Sequence, residues 1–544
     1  MGLKDKLTAY GDEGFSAFLR TAFLSGGGGL GPEDTDRPWV GIADTSSDLN
    51  PCHANGPRII DAVKRGVLQA GGMPLVFPML TLHESFANPT SMLYRNLLAM
   101  SLEETLRMLP LDAVVALGGC DKTIPAQIMA LISAETPGLI EPVGPMQGGQ
   151  WRGERLGACT DCRRMWADYR GGDLTDSDIT EVSQQLVSTG GTCMVMGTAT
   201  TMALVSEHLG ATLEDGATAP TVSGERLRHA AETGRAAVAL ARGDRQPFTA
   251  ELSRDKIVSA LELVGAVGGS TNAVVHLLGI GHRLGITFSP QEVDGALGRH
   301  PLVVDLKPSG QGYADDLHRA GGLAAIMAAL AGDPAVAERG GHVRPIADPV
   351  KDAPTMVVLT GSLTPEGSIL KTAAASPQFF EHEGSAIVFD DLEEASLRLE
   401  DPEWDVDPDD ILIMRGIGPL GMGMPEAGSL PIPKSLSRRG IRDIVRVSDG
   451  RMSGTSYGTV VLHASPEGVR PGPLAVVRTG DRIRLSVSQR RLDLLIDASE
   501  LQARLAAWEP VVPEASGYQA VHNRHVMSAW KGADLDLWSS NHSA

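Results

Sequence analysis

Three cysteines lie in loops rich in glycine or proline, where their thiolates could bind iron. They are Cys52 in NPCH, Cys120 in GGCDK and Cys193 in GGTC. Iron–sulfur clusters are held by thiolates, and small neighbours let backbone N–H groups approach the sulfurs. Three thiolates instead of four would leave one iron with an open position. The long gaps between the three match no local ligand rule, so buried cysteines that pack as small apolar side chains remain the alternative.

Two further cysteines, Cys159 and Cys162, form a C-x-x-C pair in GACTDC. The pair would supply two ligands of a zinc site, but the sequence has no second pair to complete it. A redox dithiol and a purely structural role are the other interpretations. An odd total of five cysteines argues for thiolate chemistry or metal binding over disulfides.

Carboxylates occupy similar loops. Glu84, Asp121 and Glu426 each lie in a loop with nearby glycine or proline, and hard oxygen ligands of this kind suit Mg²⁺ or Mn²⁺. For each residue alone, a solvated loop carboxylate is the alternative. Lys122, beside Asp121, is ordinarily a salt-bridge partner, and Ser453 in DGRMSGT is ordinarily a turn or helix-capping hydroxyl.

The elements around these residues predict how the loops are positioned. Apolar runs at 38–44, 73–80 and 111–119 alternate with helical patterns, which predicts an α/β domain with a mostly parallel sheet. Ligands of such sheets gather beyond the carboxyl ends of the strands, where Cys52, Glu84 and Cys120 fall. Short β-rich runs after about residue 350 predict a β-barrel-like second domain. We therefore expect domains at 1–350 and 351–544, with Glu426 and Ser453 in the second.

Composition excludes several classes of function. The 544 residues carry a formal net charge of −20, which argues against binding to nucleic acid. No apolar run reaches the roughly 18 residues of a membrane span. The charged N-terminus is unlike a secretory signal, so a cytoplasmic location without a membrane partner is expected.

Several stretches together resemble the dihydroxy-acid dehydratase / phosphogluconate dehydratase family. The resemblance covers about residues 40 to 470 and is most specific in GGCDKT and DGRMSGT; it also includes SDLNPCH, GGSTNAVVHLL and GMPEAGSLPIPK. The sequence is most similar to the sugar-acid branch, the pentonate dehydratases that act on substrates such as L-arabinonate or D-xylonate. The resemblance thus implies a hydro-lyase that converts a sugar acid to its 2-keto-3-deoxy acid.

The resemblance also implies a role for each candidate residue. Cys52, Cys120 and Cys193 would hold an iron–sulfur cluster, [2Fe–2S] in preference to [4Fe–4S]. Glu84, Asp121, Glu426 and an N-carboxylated Lys122 would bind Mg²⁺, or else Mn²⁺. Ser453 would be the catalytic base, Thr455 would contact the substrate, and the chain would form a homodimer or homotetramer.

Two alternative functions remain. Within the enzyme class, the chain could be a dihydroxy-acid dehydratase of branched-chain amino acid biosynthesis, with the same metals and a more apolar pocket. From another class, it could be a non-catalytic iron–sulfur redox sensor. A redox protein, however, has no use for the Glu84, Asp121 and Glu426 oxygen cluster.

Overall fold

Two large sheets, one in each part of the chain, organise the structure, which is a computed structural model; the short strands Gly149–Trp151 and Glu154–Leu156 form a separate small hairpin. It describes residues 13–158, 160–338, 340–454, 456–510 and 514–538. Cys159 and Thr455 therefore lie outside the described residues. None of the helices in these ranges is both long and apolar enough to cross a membrane.

The first part of the chain alternates strands and helices before it becomes mainly helical. Its elements are α1 (Glu13–Gly28), β1 (Trp39–Asp44), α2 (Gly56–Gln69), β2 (Met73–Pro78), α3 (Arg95–Met108), β3 (Ala113–Gly118), α4 (Thr123–Ala134), β4 (Gly138–Pro142), β5 (Gly149–Trp151), β6 (Glu154–Leu156), α5 (Thr160–Gly171), α6 (Asp176–Gln185), α7 (Thr198–His208), α8 (Gly224–Arg242), α9 (Arg254–Ala266), α10 (Thr271–Arg283), α11 (Pro290–Leu297), α12 (Ala314–Ala320) and α13 (Gly322–Leu330).

The first sheet is parallel throughout, in the order β2-β1-β3-β4. Helices cover both of its faces, which explains why β3 is apolar without alternation. Val114 and Ala116 pack with α3 and α4, whereas Val115 and Leu117 pack with α2 and α8. The sheet therefore presents the ends of β1 and β3 side by side at one edge.

The second part of the chain is rich in strands. Its elements are β7 (Val357–Leu359), β8 (Gly367–Leu370), β9 (Glu381–Phe389), α14 (Leu392–Glu400), β10 (Ile411–Met414), α15 (Lys434–Arg438), β11 (Val445–Ser448), β12 (Val460–Ser465), α16 (Pro473–Val476), β13 (Arg482–Ser486), β14 (Arg491–Leu494), α17 (Ala498–Ala506) and α18 (Gly517–His525).

These strands form one eight-stranded mixed sheet that curls almost into a barrel. The order is β14-β13-β9-β10-β11-β12-β8-β7, and β9 to β12 are parallel. A bridge between Thr360 and Arg491 connects the two edges of the sheet. The predicted α/β class with a barrel-like C-terminal part is thus confirmed. Strands β13 and β14 pair as an antiparallel hairpin. The division at residue 350 stays a prediction.

Candidate active site

Two of the three predicted thiols meet at the edge of the parallel sheet. Cys52 lies in a short 3-10 turn (Pro51–His53) after β1, and Cys120 follows β3. Their sulfurs and a ring nitrogen of His83 all lie within 4.8 Å of one another. Both cysteines are buried. A hydrogen bond to Cys120, together with burial, raises the pKa of Cys52 well above its ordinary value.

Cys193 approaches the same place on a separate loop. The Gly191 N–H donates to the Pro51 carbonyl (3.1 Å), which ties this loop to the Cys52 turn. Thr192 N–H donates to the Gly144 carbonyl (2.9 Å), just beyond β4. The Cys193 sulfur is not among the donors within 4.8 Å, yet Cys193 is close enough to interact electrostatically with Cys120. The structure thus brings Cys52 and Cys120 into contact and Cys193 into their neighbourhood.

Cys162 is not part of the group formed by Cys52, Cys120 and His83. It is half-buried on α5 and lines a cavity of about 470 Å³ between α5 and the 430–446 segment. The cavity also contains Arg163, whose Nη2 is 3.7 Å from Glu426 Oε2. The cavity is therefore next to the candidate carboxylate site, while Cys162 is not among the grouped sulfur donors.

The three predicted carboxylates converge on one side chain, Arg451. Its Nη2 lies 2.5 Å from Glu84 Oε2, and its Nη1 lies 2.7 Å from Glu426 Oε1 and 3.7 Å from Asp121 Oδ2. Arg451 is only 1 % exposed. Despite burial, the three carboxylates raise its pKa above the ordinary value. Glu84, Asp121 and Glu426 thus form one oxygen-rich site, although Glu426 comes from the second part of the chain.

Lys122 supplies a second positive charge at this site. It is fully buried, its ammonium is ion-paired with Asp121, and it lies 3.9 Å from Glu84 Oε2. Burial raises the pKa of Glu84 and Asp121, but the charges of Arg451 and Lys122 outweigh burial, so both pKa values are lowered. Both carboxylates are therefore ionised at neutral pH and able to bind a cation.

Backbone hydrogen bonds hold the turn that carries Arg451. Asp449, at its start, accepts the N–H groups of Gly416 (2.8 Å), Ile417 (3.1 Å) and Gly468 (2.7 Å). Burial raises the pKa of Asp449 to about 6. Arg451 Nε in turn donates to the Met424 carbonyl (2.7 Å), two residues before Glu426. The Arg451 turn and the Glu426 loop are thus fixed relative to each other.

Ser453 lies on this turn, where two helices begin. It is 8 % exposed. The next residue, Gly454, packs so closely on the Ser270 side chain and the Thr198 backbone nitrogen that a side chain would collide with both. Ser270 caps α10 and Thr198 opens α7, so the positive ends of two helix dipoles are directed at this turn.

The GGSTN segment (268–272) packs against the turn that carries Ser453. Ser270 and Thr198 share a hydrogen bond of 2.7 Å, and Asn272 Nδ2 donates to the Met452 carbonyl (3.0 Å). Its residues are buried among α7, α10 and the Ser453 turn. The GGSTN segment (268–272) therefore lies directly beside the Ser453 turn.

Sequence reasoning missed two residues of this site, His83 and Arg451. Arg451 is the arginine of the DGRMSGT motif. The motif alone does not indicate that this arginine contacts carboxylates from three separate loops. His83 directly precedes Glu84, which is the one signal in the sequence. A third, His53, supports the thiols: its Nε2 accepts the Cys120 N–H (3.0 Å).

Comparisons with known proteins match almost the whole chain to one family. Residues 37–339 match the dihydroxy-acid/6-phosphogluconate dehydratase N-terminal model, and residues 341–533 match the corresponding C-terminal model. The chain is 40 % identical to an L-arabinonate dehydratase of Rhizobium leguminosarum bv. trifolii and 39 % identical to a 6-deoxy-6-sulfo-D-gluconate dehydratase of Pseudomonas putida. Each alignment covers 92 % of this chain and 90 % of the relative.

A dihydroxy-acid dehydratase of Pyrococcus abyssi is 33 % identical, over 93 % of this chain and 95 % of the relative. The relatives therefore include both sugar-acid dehydratases and dihydroxy-acid dehydratases. The family generally uses an iron–sulfur cluster and magnesium. The chain belongs to the dihydroxy-acid/6-phosphogluconate dehydratase family and is an enzyme of the hydro-lyase class.

Proposed function

We propose that this enzyme dehydrates a sugar (aldonic) acid to its 2-keto-3-deoxy acid. The observation that carries the proposal is the contact between a thiol group and a carboxylate group. Cys120 is followed directly by Asp121, and the Cys120 sulfur lies 3.5 Å from Asp121 Oδ1. Metals held by the thiol group and by the carboxylate group would therefore lie close enough together to act on adjacent carbons of one substrate.

The residues present fit the two metal groups that the family uses. Buried thiols from Cys52 and Cys120, with Cys193 nearby, suit iron, and we propose a [2Fe–2S] cluster there. The carboxylates of Glu84, Asp121 and Glu426 suit Mg²⁺, or else Mn²⁺. When bound, the magnesium would stabilise negative charge on the substrate carboxylate, and the open iron would act as a Lewis acid toward the C3 oxygen.

Lys122 would join the oxygen ligands after reaction with CO₂. Its ammonium would first lose a proton to solvent. The neutral amine would then attack the carbon of CO₂, and loss of a second proton to solvent would give the carbamate. This change converts a cation beside Asp121 and Glu84 into an anion. The carbamate would therefore be stable only with a divalent cation in the site, so CO₂ uptake and metal binding should depend on each other.

Ser453 would act as the base. As an alkoxide it would take the C2 proton and pass it to the departing C3 hydroxide, so that water is released and the alkoxide is regenerated. The resulting enol would tautomerise to the ketone. The nearby Arg451 guanidinium and the N-terminal ends of α7 and α10 favour negative charge at this turn. Thr455, two residues on, would contact the substrate.

Turnover of a substrate panel tests the function. The anaerobically purified enzyme, with its metals, is assayed against L-arabinonate, D-xylonate, D-gluconate and 2,3-dihydroxyisovalerate, with detection of the keto acid product. We expect turnover of at least one aldonic acid. Turnover of 2,3-dihydroxyisovalerate alone would instead identify a branched-chain dihydroxy-acid dehydratase, which the Pyrococcus relative keeps as the second candidate.

Serine substitutions test the cluster ligands. Cys52→Ser, Cys120→Ser and Cys193→Ser should each abolish the visible iron–sulfur absorbance and the activity. Cys162→Ser is the matched control, because Cys162 lies on α5 away from the grouped donors, and it should retain most of both. Loss of the cluster in Cys162→Ser together with its retention in Cys193→Ser would show that the third ligand is wrong.

A further inference from the structure

His83 has a defined orientation beside the thiols, and the mechanism above gives it no role. Its Nδ1 accepts the Ser85 N–H (3.3 Å), and its ring packs on Phe86 with 5.3 Å between ring centroids. A nitrogen that accepts a hydrogen bond carries no proton. In the neutral imidazole the proton therefore lies on the other nitrogen, Nε2.

The ring lies against Cys52. A ring nitrogen lies within 4.8 Å of both the Cys52 and Cys120 sulfurs, and burial lowers the pKa of His83 but interaction with Cys52 helps to raise it. Because Nδ1 is engaged by Ser85, the nitrogen that can donate to the Cys52 sulfur is Nε2. His83 thus connects the sulfur donors to the backbone of the Glu84 turn.

A hydrogen bond to a sulfur that ligates iron changes the reduction potential of the cluster. The donor withdraws electron density from the thiolate, which stabilises the reduced cluster more than the oxidised one. The effect requires only that Cys52 ligates iron. It does not require His83 to touch the substrate.

We propose that His83 is a positioning residue that donates its Nε2–H to the Cys52 sulfur and thereby raises the reduction potential of the cluster. This inference rests on the cluster part of the proposed function, but not on the identity of the substrate. The alternative arrangement, in which the imidazole itself ligates iron, would close the open position and is an outcome of the test.

Pulsed EPR of the reduced wild-type protein is the first test, and it needs no variant. We expect coupling to an exchangeable proton that disappears in D₂O, without the strong ¹⁴N coupling of a directly ligated imidazole. Strong ¹⁴N coupling would overturn the inference, because His83 would then be a ligand. Absence of the exchangeable proton coupling would overturn it as well.

Reduction potentials of variants are the second test. His83→Leu, which has no donor, should keep the cluster but shift its potential to a more negative value. His83→Gln, whose amide N–H can replace the donor, should remain close to the wild type. His382→Leu is the control, since His382 is on the barrel strand β9 and bonds the Asp409 carbonyl.

The outcomes separate this inference from the proposed function. An unchanged potential in His83→Leu would overturn the inference while leaving the dehydratase function intact. Loss of the cluster from both His83 variants would indicate ligation and would also overturn it. A wild-type protein that binds no cluster would overturn the proposed cofactor and this inference together.

Discussion

Ser453 is the residue whose proposed role is most open to a direct kinetic test. Removal of a general base typically lowers the rate by about 10²–10⁴-fold. Ser453→Ala should therefore lower kcat by at least about 10²-fold, while the substrate still binds. A thermal melt of the same sample is the control: a turn hydroxyl with only a structural role would cost roughly 1 kcal/mol. Near-normal kcat with a lowered melting temperature would contradict the catalytic assignment.

Arg451 provides the positive charge between three carboxylates, so its removal should destabilise the protein. Removing one partner of a buried ion pair typically costs about 3–5 kcal/mol. We expect Arg451→Gln to lower the free energy of unfolding, measured by urea titration, by about 3–5 kcal/mol. Added Mg²⁺ should recover part of the loss, because binding to the folded state stabilises it.

Arg163→Gln is the matched control for Arg451. Arg163 also faces Glu426, but at 3.7 Å and with its side chain 36 % exposed. An exposed pair contributes about 0–1 kcal/mol, so this substitution should cost little. If both variants lose the same stability, charge compensation by Arg451 is not the cause.

The edge strand β4 is attached to α8 by a buried charge cluster, which makes part of the stability dependent on pH. Glu141 contacts Arg226 (3.0 Å) and His229 (2.8 Å). Burial lowers the pKa of His229, but the charge and hydrogen bond of Glu141 outweigh it, so the pKa is raised. The protonated histidine therefore stabilises the fold below pH 6.5, and this contribution is lost as the pH rises through the folded-state pKa.

His229→Gln should accordingly cost about 1.5–3 kcal/mol at pH 6, the range for hydrogen bonds to charged groups, and less at pH 9. Urea titrations at several pH values measure the difference. His208→Gln is the control: burial lowers the pKa of His208 to about 4, so it is neutral throughout this range. A His229→Gln effect that does not change with pH would show that the ion pair is not responsible.

Much of the arrangement of elements was predictable, because it depends on local patterns. Buried runs such as β3, followed by a polar loop, indicated both the parallel sheet and the position of Cys120. The bridge between Thr360 and Arg491 was not predictable, since it joins residues far apart in the chain. For the same reason Arg451 and His83 escaped notice: their partners belong to loops that meet only in three dimensions.

On the scale of the whole molecule, two donor sets of different chemistry lie side by side but use separate residues. A chelator that removes magnesium from the Glu84, Asp121 and Glu426 carboxylates should therefore abolish activity without bleaching a cluster bound by thiols. Readdition of Mg²⁺ or Mn²⁺ should restore turnover. Absorbance and activity are followed in the same sample, and parallel loss of both would contradict two independent sites.

The contribution of Glu426 and Arg451 from the barrel also has a consequence for biosynthesis. The ribosome releases the chain N-terminus first, and domains generally fold as they emerge. All the cysteines are made before residue 200, whereas Glu426 and Arg451 follow more than two hundred residues later. If the proposed cluster is inserted at that stage, the nascent chain would carry it while the oxygen-rich site still lacks one carboxylate and the guanidinium, so a half-made polypeptide would hold a cluster that it cannot use.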